Sequence, residues 1–331
     1  MVSSTDFIQL DYTPDLTQAG IAYANQALVY THDRASAESF KTIRQIVSQK
    51  AAELALIRYL VSEDVPHYIR SSTPFSAPDN YTITIGGRRC ALYIYLIHQK
   101  TRIRQINQHP EQLLKASALV PSDQIEAEQL SKSDLYCFGF ISALLTKDRQ
   151  SLRRALAANQ PVHLLQTLPS TWAYPSSWKN LGALQLRSEA SQSVQLTVTG
   201  QSMDRSLQTE TIILPAQKNV QLSQDFYALS HLSTQKLLNG QIALQSLGLK
   251  QTYYAKPTEW GNIWVYGMAI TLTGYMTFGE FQKRAVWLPP GSPVFQTPRT
   301  QVKNLALPIP ELYPFSEVLS AAKRQQGSVW I

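Results

Sequence analysis

Only two cysteines, Cys90 and Cys137, occur in the 331 residues. That excludes a disulfide framework and a four-thiolate zinc site. Both lie in apolar runs, where a thiol behaves as a small buried hydrophobe. Charge is also scarce: Asp, Glu, Lys and Arg make up 16% of the chain, against about 25% in an average globular protein. Surface polarity therefore falls largely to Gln, Ser, Thr and Asn. No apolar run approaches the ~20 residues of a membrane span; Cys90 to Ile97 is among the longest. Met1 to Leu10 lack the basic start and apolar stretch of a secretory signal, so a cytoplasmic protein with no membrane partner is expected. The histidines, His32, His67, His98, His109, His163 and His231, show no metal-ligand spacing such as His-X-X-X-His. Also missing are a Gly-X-Ser-X-Gly elbow, a Walker loop and a dinucleotide glycine pattern.

What is present suits a folded protein. The hydrophobic fraction is 44%, with six Trp, sixteen Tyr and ten Phe, which argues against disorder. The net charge of +7 permits a nucleic-acid partner without nominating one. Residues 36–62 place Ile43, Ile46, Val47, Ala51, Leu54, Ala55 and Tyr59 at helical spacing. Leu16 to Tyr30 reads as a weaker helix, and Ser71 to Asn80 as a loop. Tyr81 to Ile85, then Gly86-Gly87, then Arg88 to Ile97 read as a β-hairpin. Cys90, Leu92, Ile94 and Leu96 share one face of its second strand, and Ala91, Tyr93, Tyr95 and Ile97 the other. Both faces are apolar, so this strand is expected to be central and covered on both sides.

Leu113 to Leu119 starts a strand or a helix, and periodicity leaves Asp134 to Leu145 open between the two. Arg149 to Ala158 looks helical, with Arg149, Arg153 and Arg154 on an exposed face. Beyond Trp172 short Thr-, Val-, Ile- and Tyr-rich runs (195–199, 210–214, 263–266, 268–272) alternate with Pro and Gly, as in a sandwich or barrel. Short helices are expected within 275–283 and 316–324. The fold class is α+β (α/β), with a mixed α/β domain over 1–166 and a mainly β domain over 167–331. Core packing is the expected use of Trp172, Trp178, Trp260, Trp264 and Trp287; a ligand groove, as for a sugar, is the lesser alternative.

One arrangement carries chemistry. The helix bears an acid, Glu53, among apolar neighbours, and the loop delivers Pro78-Asp79 to the mouth of the hairpin. Metal-assisted phosphodiester hydrolysis needs carboxylates that hold a hard cation through oxygen. Alone, the pattern is weak, since acids on helices and in loops are common.

Ala52-Glu53-Leu54-Ala55, Thr73-Pro-Phe-Ser-Ala-Pro-Asp79 and Gly86-Gly-Arg-Arg-Cys90 together resemble the core of the PD-(D/E)XK, restriction-endonuclease-like superfamily over Lys41 to Ile106. The resemblance implies a mixed sheet flanked by helices and a hairpin strand ending in acid-X-Lys. Here Ala91 and Tyr93 occupy the acid and lysine positions. Ala91 cannot ligate a cation, and a phenol of pKa about 10 does not replace an ammonium. What is left is a vestigial site of Glu53 and Asp79, with no cofactor, or weakly held Mg²⁺ if activity remains. The expectation is a DNA-binding protein that has lost cleavage. Arg88, Arg89, Lys100, Arg102 and Arg104 are its candidate phosphate contacts, the alternative being a charged strand edge that protects the sheet. Lys100 follows on the same strand or just past it, about 20 Å beyond Tyr93 if the strand continues. Two other readings stand beside this one: a scaffold for a homodimer or protein partner that reuses the nuclease fold, and an endonuclease working through non-standard groups.

Overall fold

In the computed structural model, the described residues are 1–30, 39–69, 83–127, 129–160, 162–265 and 267–327. The chain opens with β1 (Ile8–Leu10), α1 (Pro14–Tyr30) and α2 (Ser39–Ser62). Then come β2 (His67–Ile69), β3 (Ile83–Ile85), β4 (Arg88–Ile97), α3 (Lys100–Gln108), β5 (Ser117–Pro121), α4 (Ser122–Ala127) and β6 (Leu135–Ser142). The middle holds α5 (Arg149–Ala157), β7 (Leu164–Thr167), α6 (Ser170–Ala173), β8 (Leu184–Ser188), β9 (Val194–Gln201) and β10 (Leu207–Leu214). It continues with β11 (Asn219–Gln221), β12 (Ala228–Thr234), β13 (Ile242–Ser246), β14 (Gln251–Ala255) and β15 (Gly261–Asn262). The chain closes with β16 (Ala269–Thr277), α7 (Phe278–Arg284), β17 (Val286–Leu288), β18 (Asn304–Pro308) and α8 (Phe315–Gly327). This is a mixed α+β fold: a helix-flanked sheet lies in the N-terminal part and the C-terminal region is largely β.

Two compact units divide the chain. The first comprises residues 1–20, 45–144 and 267–331, and the second 21–44 with 145–266. In the first, a six-stranded sheet runs β1-β16-β6-β4-β3-β2. Only β4 and β6 pair in parallel; the other neighbours are antiparallel. A parallel pair needs a long crossover, and residues 98–134 supply it with α3, a 3-10 turn (Pro110–Lys115), β5 and α4. Every residue of β6 is buried, as is usual for a strand covered on both faces. That decides the open question over Asp134 to Leu145 in favour of strand. Likewise 113–119 resolves into the end of the 3-10 turn followed by β5.

Strand β4 is buried from Cys90 to Ile94, in line with its two apolar faces. The Gly86-Gly87 turn has φ of +53° and +73°, the left-handed pair that a two-residue hairpin loop demands and glycine adopts at little cost. On α2, Val47, Ala51, Ala52, Ala55, Leu56 and Leu60 are buried, the apolar stripe of a 3.6-residue period. Where α1 meets α2, a Cβ on Gly20 would stand 2.8 Å from the Val47 carbonyl oxygen, so the close approach requires glycine. A smaller antiparallel sheet, β17-β18-β5, completes this unit.

The second unit holds two antiparallel sheets, β10-β9-β12-β7-β15 and β11-β8-β13-β14. Leu184, Leu186 and Ser188 on β8 pair with Ser246, Leu244 and Ile242 on β13, all buried. The intervening Gln185 and Arg187 are not, which is the alternation of a strand with one covered face. One expected strand does not form: β15 ends at Asn262, and Ile263, Trp264 and Val265 pack as buried irregular chain. The Ile263 amide instead donates to the His163 carbonyl at 3.0 Å. Tyr266, the expected loop 71–80 and the first two residues of the expected strand 81–85 lie outside the described residues.

Candidate functional site

Positions 91 and 93, where the resemblance leads one to expect an acid and a lysine, belong to the core. Ala91 is 4% exposed and Tyr93 8%. The Tyr93 ring meets Tyr136 edge-on at 5.3 Å and stacks on Phe138 at 5.8 Å; Phe138 in turn stacks on Phe281 of α7 at 5.3 Å. Two residues later on the same face of β4, Tyr95 donates its hydroxyl to the Leu119 carbonyl, and burial pushes its phenol well above the ordinary range. An aromatic cluster of this kind offers a hard cation no oxygen cage.

Glu53 lies on α2 where that helix runs along β4. The hairpin partner β3 pairs with β4 only as far as Cys90. Among the described residues, no strand covers that edge of β4 from Ala91 onward. Two glutamines take its place. Gln49 donates to the Leu92 carbonyl at 2.6 Å and accepts from the Ile94 amide at 3.3 Å; Gln45 donates to the Ile94 carbonyl at 3.3 Å. Buried main-chain groups must find partners, and α2 supplies them through side chains one helical turn apart. One turn further on is Glu53, whose side chain is 12% exposed and paired with Lys50 at 3.0 Å, with Gln49 at 3.4 Å. Its carboxylate is thus compensated within α2 itself. Asp79 lies outside the described residues, so the expected pairing of Glu53 with Asp79 is not among the contacts seen. No group of three His, Cys, Asp or Glu that could hold a metal ion occurs among the described residues, and the residues at positions 53, 91 and 93 do not fit Mg²⁺.

The five basic residues do not form one strand edge. Strand β4 stops at Ile97 and Lys100 begins helix α3, so Lys100 lies just past the strand, the second of the two placements expected for it. With ~3.3 Å per residue, the hairpin arginines and α3 stand at opposite ends of β4, roughly 25–30 Å apart. At the hairpin end Arg89 is committed within the fold. Its Nε donates to Asp134 at 2.7 Å and its terminal nitrogen to the Gln129 carbonyl at 2.7 Å, while its own amide donates to Asp134 at 3.1 Å. Burial works to raise the Asp134 carboxyl, but hydrogen bonds from Ser131 and Arg89 outweigh it and hold the group below its ordinary value of 3.8. Arg88 is half-buried.

At the other end, α3 anchors itself by Ile103 and Ile106 and contains no acid. Lys100 and Arg104 are exposed, while Arg102 lies 4.6 Å over the Phe295 ring, a cation–π contact.

Other titratable groups are structural. Burial lowers His163 and His231 to about 4. Cys90 and Cys137 are buried and in sulfur contact at 3.1 Å, with burial raising the Cys137 thiol. Of the tryptophans, Trp172, Trp260 and Trp264 are core, whereas Trp287 is exposed beneath the Lys303 ammonium at 4.2 Å. The glutamine clamp on β4 escaped the reading of the sequence; its signal was two glutamines four residues apart beside the apolar stripe of α2. Among the described residues, no helix is long and apolar enough to cross a membrane. No protein-family model, no curated protein and no solved structure matches this chain.

Proposed function

We propose that this chain is a restriction-endonuclease-like DNA-binding protein that has given up phosphodiester cleavage. The reading is supported by the order of elements in the first unit. A helix carrying Glu53 lies along a β-hairpin, and a helix-containing crossover leads from β4 to the parallel strand β6. One observation carries the loss of chemistry: the positions where that framework would place an acid and a lysine hold Ala91 and a ring-packed Tyr93. For DNA, α3 is the better seat than the hairpin, because Lys100 and Arg104 point cations outward from a helix without acids. Such contacts hold phosphates irrespective of base sequence.

The test has two arms. Supercoiled plasmid with Mg²⁺ or Mn²⁺ remains intact, and duplex DNA is retained with an affinity that falls steeply between ~50 and ~200 mM salt. Lys100→Gln with Arg104→Gln lowers the slope of log affinity against log salt by about 1.8. Metal-dependent nicking, or a salt slope unmoved by the double variant, refutes the respective arm. A scaffold role is the second reading, favoured by Val286 and Trp287, which stand 62% and 51% exposed on the edge strand β17. It gives a defined oligomer on sizing and no DNA retention at moderate salt.

A further inference from the structure

The second unit carries a cleft of about 310 Å³ with an apolar floor and a cationic rim. Leu152, Leu164, Leu238 and Trp260, each 2–5% exposed, line it from within. Lys147 and Arg149 line it from exposed positions, and no carboxylate belongs to its lining. None of these six residues takes part in the nuclease-like arrangement of the first unit.

The local sequence explains the rim. Asp148 caps α5 by accepting from the Gln150 and Ser151 amides at 3.0 and 3.1 Å, so its negative charge is turned back onto the helix. That cap fixes Lys147 just before the helix and Arg149 in its first turn. Arg149 then donates to the Leu238 carbonyl, tying the rim to the floor. Trp260 is also part of that floor. Its indole Nε1 is buried and has no hydrogen-bond acceptor among the described residues, although a buried tryptophan N–H ordinarily has one.

We propose that this cleft binds a small organic anion with an apolar body, a carboxylate carried on an aryl or branched-alkyl group. The body covers the leucines and Trp260, and the carboxylate meets Lys147 and Arg149. An inorganic anion would leave the floor unused, and a neutral apolar molecule would forgo the cations. The volume lies at the small end of ligand pockets, about 300–1,000 Å³, which excludes a dinucleotide. Apolar walls with few convergent polar groups are the usual make-up of such sites. This inference is independent of the DNA reading.

The experiment uses the full chain, with 4-phenylbutyrate and its amide as probes, followed by calorimetry and by ligand-observed NMR. The acid binds saturably, and the amide binds at least about tenfold more weakly, the difference one charge-assisted contact makes. Lys147→Gln weakens the acid by about tenfold without changing the circular dichroism or the melting temperature. Leu152→Trp, which fills the floor, abolishes binding. It is a core change; Lys147→Gln, at an exposed position, keeps the test decisive if that variant fails to fold. Equal binding of acid and amide, an unchanged affinity in Lys147→Gln, or no saturable binding of the acid up to about 10 mM overturns the proposal.

Discussion

Replacing Arg89 with Gln separates a structural arginine from a phosphate contact. The guanidinium makes two charge-assisted hydrogen bonds, to the Asp134 carboxylate and the Gln129 carbonyl, each at 2.7 Å. Such bonds contribute about 1.5–3 kcal/mol apiece, and leaving the partner of a buried pair uncompensated costs about 3–5 kcal/mol. Here the arginine side chain is 28% exposed against 7% for the aspartate, so water replaces part of what is lost. Asp134 also keeps the Ser131 amide at 2.7 Å and the Arg89 amide at 3.1 Å. We therefore expect Arg89→Gln to lower stability by about 2–3 kcal/mol, read from urea midpoints at constant slope.

The pH dependence provides a second signature. The folded value of Asp134 lies below 3.8, so its contribution is complete above the unfolded value and is lost as pH falls through the depressed folded value. The variant returns the folded value toward 3.8, and the gap between the two proteins narrows on acidification below that point. DNA affinity, measured beside stability, remains within twofold or so of the parent once a single phosphate contact is ruled out. A variant of unchanged stability that loses its DNA affinity would refute this reasoning outright.

Three other perturbations bear on the same architecture. Ala91→Asp with Tyr93→Lys introduces an acid-X-Lys sequence, yet it buries charges and dismantles ring contacts. It is expected to lose more than about 3 kcal/mol and to show no plasmid nicking with Mg²⁺ or Mn²⁺; a stable, cleaving variant would show that these positions tolerate solvent. Gln49→Ala strips partners from the Leu92 carbonyl and the Ile94 amide, at a cost of about 1–3 kcal/mol. Hydrogen exchange at Ile94 accelerates in step, and an unaltered rate there would remove the clamp from the argument. Finally, His163 and His231 have folded values of about 4 against 6.5 for the free side chain. The unfolded chain binds more protons between those values, so stability declines as pH drops from 6.5 toward 4. His231→Leu should flatten that limb, and a limb of the same steepness would point to other groups.

How much of this was legible in the sequence follows from the range of each interaction. The Gly86-Gly87 turn and the two apolar faces of β4 are local patterns that appear where the residues indicate, whereas on α2 the buried stripe takes in Ala52, Leu56 and Leu60 and leaves the expected Ile46, Leu54 and Tyr59 half-buried. The place of β16 beside β6 is not local. It joins Ala269–Thr277 to Leu135–Ser142 across the intervening residues 143–268, with a register shift between Leu272 and Gly274, and no short-range periodicity encodes such a partner. The apolar run at Ile263 reads as strand, but past the bond from the Ile263 amide to the His163 carbonyl, Trp264 and Val265 pack as buried irregular chain. The sequence left Lys100 on the strand or just past it, and the spacing of three between Ile103 and Ile106, the helical signal of α3, went unused. The cleft of the second unit was illegible for a different reason: its lining comes from segments near 147–152, 164, 238 and 260, which only the fold brings together.

The candidate site shows why positions 91 and 93 are better read through packing than through letters. A working acid-X-Lys strand has to keep two adjacent same-face positions polar, hydrated and open to a cation. Positions 91 and 93 do the reverse. Each aromatic pair contributes about 0.5–1.5 kcal/mol beyond the area it buries, so the Tyr93 contacts with Tyr136 and Phe138 favour a closed strand by an amount a small domain would feel. Among the described residues no strand pairs with that edge of β4 from Ala91 onward, and Gln45 and Gln49 supply partners from α2. Placing an acid and a lysine at these positions would oppose the whole cluster, whereas the exposed cations of α3 can be altered without touching it.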